Sequence, residues 1–208
     1  KITFRSSFFS MMTPEPHRYE SLSNEVRALC EDTEHNLWVG LKDGKIRIYD
    51  KNRTELGYFT ETGTISHAGI PLKGNTYCIF QDSKHNIWIA TKGEGLVKAR
   101  PQGGGHYKLT RYCHSRDDIY SLSDNNVYCV YEDVKGRIWV ATFGGGINYL
   151  THNRGGREIF VNHRNNLKGF PIDNCHKVRF VTGDHRGNIW IATTAVSYTH
   201  LRAHETGR

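Results

Sequence analysis

The stretch Glu132-Asp-Val-Lys-Gly-Arg-Ile-Trp-Val-Ala-Thr-Phe-Gly-Gly-Gly-Ile147 decides how this chain folds, because its elements recur in register. An aspartate is followed six residues later by a tryptophan at Asp32/Trp38, Asp82/Trp88, Asp133/Trp139 and Asp184/Trp190. These are the only four tryptophans among 208 residues, and they stand 50, 51 and 51 residues apart. A unit of that period belongs to solenoids, propellers or arrays.

Working outward from the tryptophan, both flanks of each copy are short and rich in Val, Ile, Tyr, Phe and Trp, which is strand composition. Between them lies Asp-x-x-His/Gly-Asn/Arg, a hairpin connection. Its fourth residue is His35, His85, Gly136 or Gly187, the mix expected where φ must be positive. The aspartate is placed to bond backbone N–H groups of the turn. Third strands are predicted at Lys45–Asp50, Leu96–Arg100 and Ile147–Thr151, after Gly-containing turns. Fourth strands follow at Glu55–Thr60, Tyr107–Tyr112 and Glu158–His163. No segment sustains a 3.6-residue apolar period, so the chain reads as all-β. Simple alternation puts Val127, Cys129 and Tyr131 on one face and Tyr128 and Val130 on the other. A sheet apolar on both faces needs a neighbour on each side, and meanders stacked radially supply this as a β-propeller.

The length holds about four such blades: 21–68, 69–119, 120–170 and a partial fourth at 171–194. Four blades nearly exhaust the chain, so a closed four-bladed ring is an alternative. Against it, no turn glycines and no third strand are predicted after Thr193. The tail 195–208 resembles translated sequencing-adapter read-through and is expected to be non-native. Lys1 opens the chain without Met, and 1–20, with a possible strand at Ile2–Phe9, reads as the end of a preceding blade or a lead-in. The expectation is an open arc cut from a larger ring.

The five cysteines (Cys30, Cys78, Cys113, Cys129 and Cys175) form no CxxC pair and no zinc spacing. Cys78 and Cys129 occupy equivalent positions in adjacent units. Sheets stacked ~10 Å apart hold such residues too far apart for a disulfide, so they read as core thiols. The formal charge is +7, but the basic residues are scattered, which fits a solvated surface better than a nucleic-acid footprint. An acidic glycan is compatible with this charge and not implied by it.

The motif at Glu132–Ile147, together with Ser21-Leu-Ser-Asn-Glu-Val26 and Ser121-Leu-Ser-Asp-Asn-Asn-Val127, resembles the two-component regulator propeller repeat. The resemblance covers about residues 20 to 193. The first copy departs from the pattern at Lys42-Asp43-Gly44, and the first two carry His where Gly is usual. The resemblance implies the sensor region of a hybrid two-component histidine kinase, held on the periplasmic side of the inner membrane. It further implies paired seven-bladed propellers, a homodimeric parent, oligosaccharide stimuli, and kinase, receiver and DNA-binding parts outside this chain.

Candidate chemistry is otherwise thin. The repeated aspartates sit on separate blades and cannot converge as catalytic carboxylates, and His35 and His85 read as turn residues. Gly144-Gly145-Gly146 and Gly103-Gly104-Gly105 lack the Lys-Ser/Thr and helix of a phosphate loop. No Gly-x-Ser-x-Gly and no Cys/His nucleophile pair is present, so no catalytic residue, metal or cofactor is assigned. The tryptophans are expected between blades. Recognition is expected on the rim that carries the blade-entering loops and the turns between second and third strands. The candidates there are His67, Arg116, Asp117, Tyr120, Asn125, Phe143, Phe170, Asp173 and Asn174. A propeller enzyme of lyase type and a protein-binding scaffold of the WD-repeat kind are the alternatives.

Overall fold

The computed structural model describes residues 12–14, 24–167 and 169–194, together with the backbone of 199–202. The repeats become four antiparallel sheets whose strands pair in chain order. Sheet 1 holds β1 (Val26–Glu31), β2 (Leu37–Leu41), β3 (Ile46–Tyr49), β4 (Glu55–Phe59) and a two-residue β5 (Ile65–Ser66). Sheet 2 holds β6 (Asn75–Gln81), β7 (Ile87–Lys92), β8 (Leu96–Gly103) and β9 (His106–Tyr112). Sheet 3 holds β10 (Val127–Glu132), β11 (Ile138–Thr142), β12 (Gly146–His152) and β13 (Glu158–Val161). One helical turn, α1 (Ile172–Cys175), leads into sheet 4, made of β14 (Val178–Gly183), β15 (Asn188–Thr193) and β16 (Thr199–Arg202). First strands of neighbouring sheets lie against one another while their fourth strands splay apart, giving an open propeller arc and not a closed ring. Among the described residues no helix is long and apolar enough to cross a membrane.

The hairpin between first and second strands explains the six-residue lattice. In the second copy Asp82 Oδ1 accepts from the N–H groups of Lys84 (2.9 Å) and Asn86 (2.8 Å), which fixes the turn. His85 then takes φ 63°, as His35 does, and Gly136 and Gly187 take 72° and 80°. The other carboxylate oxygen, Oδ2, accepts from the indole N–H of Trp88 at 2.8 Å. The same bond recurs at Trp38–Asp32 (2.9 Å), Trp139–Asp133 (2.8 Å) and Trp190–Asp184 (3.2 Å). A buried indole donor must be paired, and the hairpin aspartate is the partner that this spacing supplies.

Three seams form the core. Trp38 meets Phe59 of its own sheet and Tyr107 of sheet 2 edge-on, at 5.2 and 5.6 Å between ring centres. Trp88 lies in the seam of sheets 2 and 3, and Trp139 in that of sheets 3 and 4. All three are buried. Trp190, on the far face of sheet 4, is 37% exposed. Polar latches cross two seams at the hairpin rim. Gln81 Oε1 accepts from Thr33 N (2.8 Å), and the Glu132 carboxylate accepts from Ser83 N (2.7 Å) and Ser83 Oγ (2.6 Å). The equivalent position in sheet 4 is Gly183, which has no side chain to make the third latch.

The structure corrects two expectations. Every first strand carries a β-bulge, with Arg27, Tyr77, Tyr128 or Arg179 as the extra, unpaired residue. The bulge breaks the alternation, so Val127 faces the seam with sheet 2 while Cys129 faces the seam with sheet 4, not the same side. Sheet 4 does have a third strand: the backbone of Thr199–Arg202 pairs with Asn188–Ile191 of β15 without the turn glycines used elsewhere. Cys78 and Cys129 are free thiols, Cys129 buried and Cys78 partly so, as their places in adjacent sheets predict. The predicted strand at Ile2–Phe9 and the rest of 195–208 lie outside the described residues.

Candidate functional site

The rim opposite the hairpins carries the irregular loops, and backbone bonds tie each loop to the sheet before it. Asn125 O accepts from Gly93 N (3.1 Å) and Gly95 N (3.0 Å), and His176 O accepts from Gly144 N and Gly146 N, both at 2.9 Å. The turn between second and third strands of one sheet therefore abuts the entering loop of the next.

The longest of these loops, between β9 and β10, is strapped from below by residues just after β13. Asn162 Nδ2 donates to Ser121 O (3.0 Å) and Asn165 Nδ2 to Ile119 O (2.8 Å). The Arg164 guanidinium donates to Ser115 O (2.9 Å) and Arg116 O (3.1 Å). Asp118 accepts from Tyr120 N (2.9 Å) and pairs with Arg157. That backbone bond, then Arg157, hold the Asp118 carboxyl below its ordinary range against the opposing effect of burial. His163 donates from Nδ1 to Gly145 O at 3.2 Å, since a carbonyl can only accept. Burial first, and the Arg164 charge as well, keep its ring below the usual value of 6.5, so it serves as a neutral donor that pins the 143–146 turn.

On this frame Arg116, Asp117 and Tyr120 share one strapped loop with their side chains exposed, Tyr120 at 38%. Asn125 Oδ1 is engaged by His114 N at 2.6 Å. Asp173 and Asn174 are exposed on α1, beside the Phe143 turn. Phe170 is buried in the seam of sheets 3 and 4, against Gly146. His67 follows β5 at the outer edge of sheet 1, apart from the others. Phe143 stacks on Tyr128 with ring centres 5.0 Å apart. Tyr128 and its lattice mates Arg27, Tyr77 and Arg179 were not singled out as site residues. The available signal was their shared position in the repeat, occupied by aromatic and cationic residues only.

Clefts also open at the hairpin rim, one of about 220 Å³ between sheets 2 and 3 and one of about 320 Å³ between sheets 1 and 2. Polar groups in the first are already matched: Lys98 with Glu158 at 2.6 Å, and Arg137 with Asp133 at 2.7 Å. Tyr112 donates to Glu158 as well, and burial together with that carboxylate pushes its phenol far above the ordinary value. These are seam contacts. The strapped loops, with exposed side chains on fixed backbone, are the better candidate. Among the described residues no three His, Cys, Asp or Glu side chains converge as a metal site would require.

Known proteins align with this picture. The two-component regulator propeller family matches residues 20–43, 71–93 and 121–144. Over 89 residues, 43% of this chain and 6% of the other, the sequence is 27% identical to histidine kinase P4 of Formosa agariphila. The extracellular domain of the hybrid two component system BT3049 from B. thetaiotaomicron superposes with a TM-score of 0.65 at 22% identity, covering 94% of this chain and 24% of that one. Virginiamycin B lyase from Staphylococcus aureus superposes with a TM-score of 0.55 at 13% identity, over 94% of this chain and 59% of that one. At such identities the structural likenesses speak to the fold alone. The chain spans a small part of the kinase and about a quarter of the extracellular domain. The repeat of the two-component regulator propeller family is thus matched in the first two strands of three of the four sheets, and those sheets form a β-propeller segment.

Proposed function

We propose that this chain is a ligand-sensing part of the extracytoplasmic region of a hybrid two-component sensor histidine kinase, and that it takes an oligosaccharide at the loop rim. The observation that carries this reading is the loop between β9 and β10. Three side chains from the end of the third sheet hold its backbone, leaving Arg116, Asp117 and Tyr120 exposed. A fixed loop that presents an aromatic face beside charged groups suits sugar binding, which needs stacking surface and hydrogen bonds without induced order. The kinase relative and the extracellular-domain likeness support the extracytoplasmic and signalling context.

The chain is proposed to bind and not to catalyse. Its shifted side chains are accounted for by burial, as at Tyr107, and by structural bonds, as at Asp184–Asn188, so none needs a catalytic role to explain it. A glycan-array screen on the purified chain, followed by titration calorimetry, tests the proposal. Binding lost on Y120A with the fold intact is the expected result. A blank array, or turnover of a bound sugar, would overturn it.

A further inference from the structure

The bulge residues of the four first strands form a continuous row along the inner side of the arc. Arg27 Cζ sits 5.1 Å from the centre of the Tyr77 ring, and its Nη1 donates to the Tyr77 hydroxyl at 2.6 Å. Tyr77 and Tyr128 lie 4.5 Å apart between ring centres, and Phe143 continues the stack 5.0 Å beyond Tyr128. Arg179 covers both Tyr128 (5.6 Å) and Phe143 (5.0 Å), and Lys177 stands 5.6 Å over Phe143. Three aromatic rings are thus flanked by three cations on a surface that only a bulge could furnish. Had the strands kept strict alternation, these positions would have turned into the seams.

Several cations elsewhere in the molecule are neutralised by carboxylates. Lys42, Arg47, Lys98 and Arg137 each hold a carboxylate within 2.7 Å. Arg27, Lys177 and Arg179 pair with no described carboxylate, although all three are exposed. Asp124, the acid beside Gly144, is engaged by Asn126 N and Nδ2. Guanidiniums stacked on rings present their N–H edges outward, the geometry in which Arg receives a carboxylate or sulfate. Rings and cations follow one another in steps of 4.5–5.6 Å, which holds the three cations in one line.

We infer that the Arg27–Tyr77–Tyr128–Arg179 row, with Phe143 and Lys177, binds an anionic oligosaccharide. Its carboxylates or sulfates bond Arg179, Lys177 and Arg27, which the three rings hold in place, and its sugar C–H groups pack against the ring edges. The inference rests on the oligosaccharide-sensing reading above and adds a second contact surface for the sugar, on the inner row and apart from the β9–β10 loop, with the anionic class that this surface selects.

Calorimetric titration of the full 208-residue chain tests it with three probes: tetragalacturonate, a sulfated galactose tetramer and uncharged galactotetraose. One or both acidic probes are expected to bind at least 10-fold more tightly than the uncharged one, and which of them binds identifies the anion. R179Q and R27Q are expected to weaken that binding about 10- to 100-fold, the usual cost of losing a hydrogen bond to a charged group. R179K should restore part of it. Because these side chains are exposed, the melting temperature should stay put, which separates lost binding from lost fold. Equal binding by wild type and both Gln variants overturns the inference, as does polyglutamate competing as well as the acidic sugar. If only uncharged sugars bind, and do so independently of Arg179, the sensing reading stands and this inference falls. If no sugar of either kind binds, both fall.

Discussion

Replacing Asp82 with alanine probes the bond that sets the repeat's spacing. Its carboxylate is buried and accepts from two backbone N–H groups, from the Asn86 side-chain amide (2.9 Å) and from the Trp88 indole (2.8 Å). Truncation strands the indole N–H and the Asn86 amide in positions that are 1% and 5% exposed. Each stranded buried donor costs about 1–3 kcal/mol. Of the two backbone donors, Lys84 N lies at the exposed side of the turn and can turn to water, whereas Asn86 N is buried like its side chain. Because the lost bonds share one acceptor they do not add fully, and a total loss of about 3–4 kcal/mol is expected for D82A.

W88F removes the indole donor while leaving the turn bonds in place, at about 1.5–3 kcal/mol for a bond to a charged acceptor. Urea unfolding followed by far-UV circular dichroism, on wild type, both single variants and the double variant, isolates the pairwise bond. The expected coupling is about 1–2 kcal/mol, so the double variant should lose clearly less than the sum. D184A is the internal control. Its tryptophan partner is more than a third exposed and the bond is longer, at 3.2 Å, so water substitutes and the loss should be smaller than for D82A. A D82A loss below about 1 kcal/mol, or strict additivity with W88F, would refute the account of the lattice given above.

Acid should act on the same carboxylates. For Asp133, burial works to raise the pKa, but the Trp139 indole and the Arg137 and Lys135 donors outweigh it and hold the group below 3.8. Asp184 lies below that value too, chiefly through the Asn188 side chain. With folded values depressed, the unfolded chain takes up protons first, so their stabilisation is complete above about pH 4 and is lost as pH falls through the folded values. D133N should flatten the acid unfolding profile in that window, read by circular dichroism. G95A should be far more disruptive than G93A: both positions have positive φ, but a Cβ at 95 would sit 2.2 Å from Tyr112 O and one at 93 meets nothing. The G93A loss should be about 1 kcal/mol, and urea midpoints would show the ranking. At the hairpin, H35G should change stability by less than about 1 kcal/mol while H35V costs about 1–2, since φ 63° suits Gly and strains a β-branched residue. Sheet 4 lacks the side-chain latch made by Gln81 and Glu132, so amide exchange in β14 and β15 should exceed that in β6 and β7; equal protection would dismiss the latches as energetically idle.

What could be read from the sequence was whatever the repeat states within about 16 residues. The hairpin turn, its positive-φ position and the strand order follow from Asp, His or Gly, and the apolar flanks, because these contacts are local. The Asp–Trp bond was half legible. The six-residue spacing is plain, but that it is a hydrogen bond depends on the indole edge lying over the turn. The bulges were not legible, since an extra residue in a strand leaves the composition unchanged and only the pairing register exposes it. Seam latches and the strapping of the β9–β10 loop by Arg164 and Asn165 join residues about 50 apart in sequence, and no local pattern announces them. Among the candidate site residues, Phe170 illustrates the limit. As an aromatic in a Gly-Phe-Pro loop it looks available for stacking, yet the absence of a Cβ at Gly146 lets its ring settle into the seam.

A repeat also sorts its own positions by physical constraint. The turn aspartate must accept several donors at once, so no other residue replaces it in four copies. The residue four positions along the hairpin is free to be His or Gly because only φ is fixed there. The bulge position has neither a pairing partner nor a seam to fill, so its side chain is constrained by nothing in the scaffold. Such a position would ordinarily drift to small or mixed polar residues. Here it holds Arg, Tyr, Tyr and Arg, large side chains that lose much conformational freedom when ordered. They are nonetheless stacked on one another in a single row. Large, ordered and scaffold-independent side chains at one repeated position are better explained by what they face than by what they support.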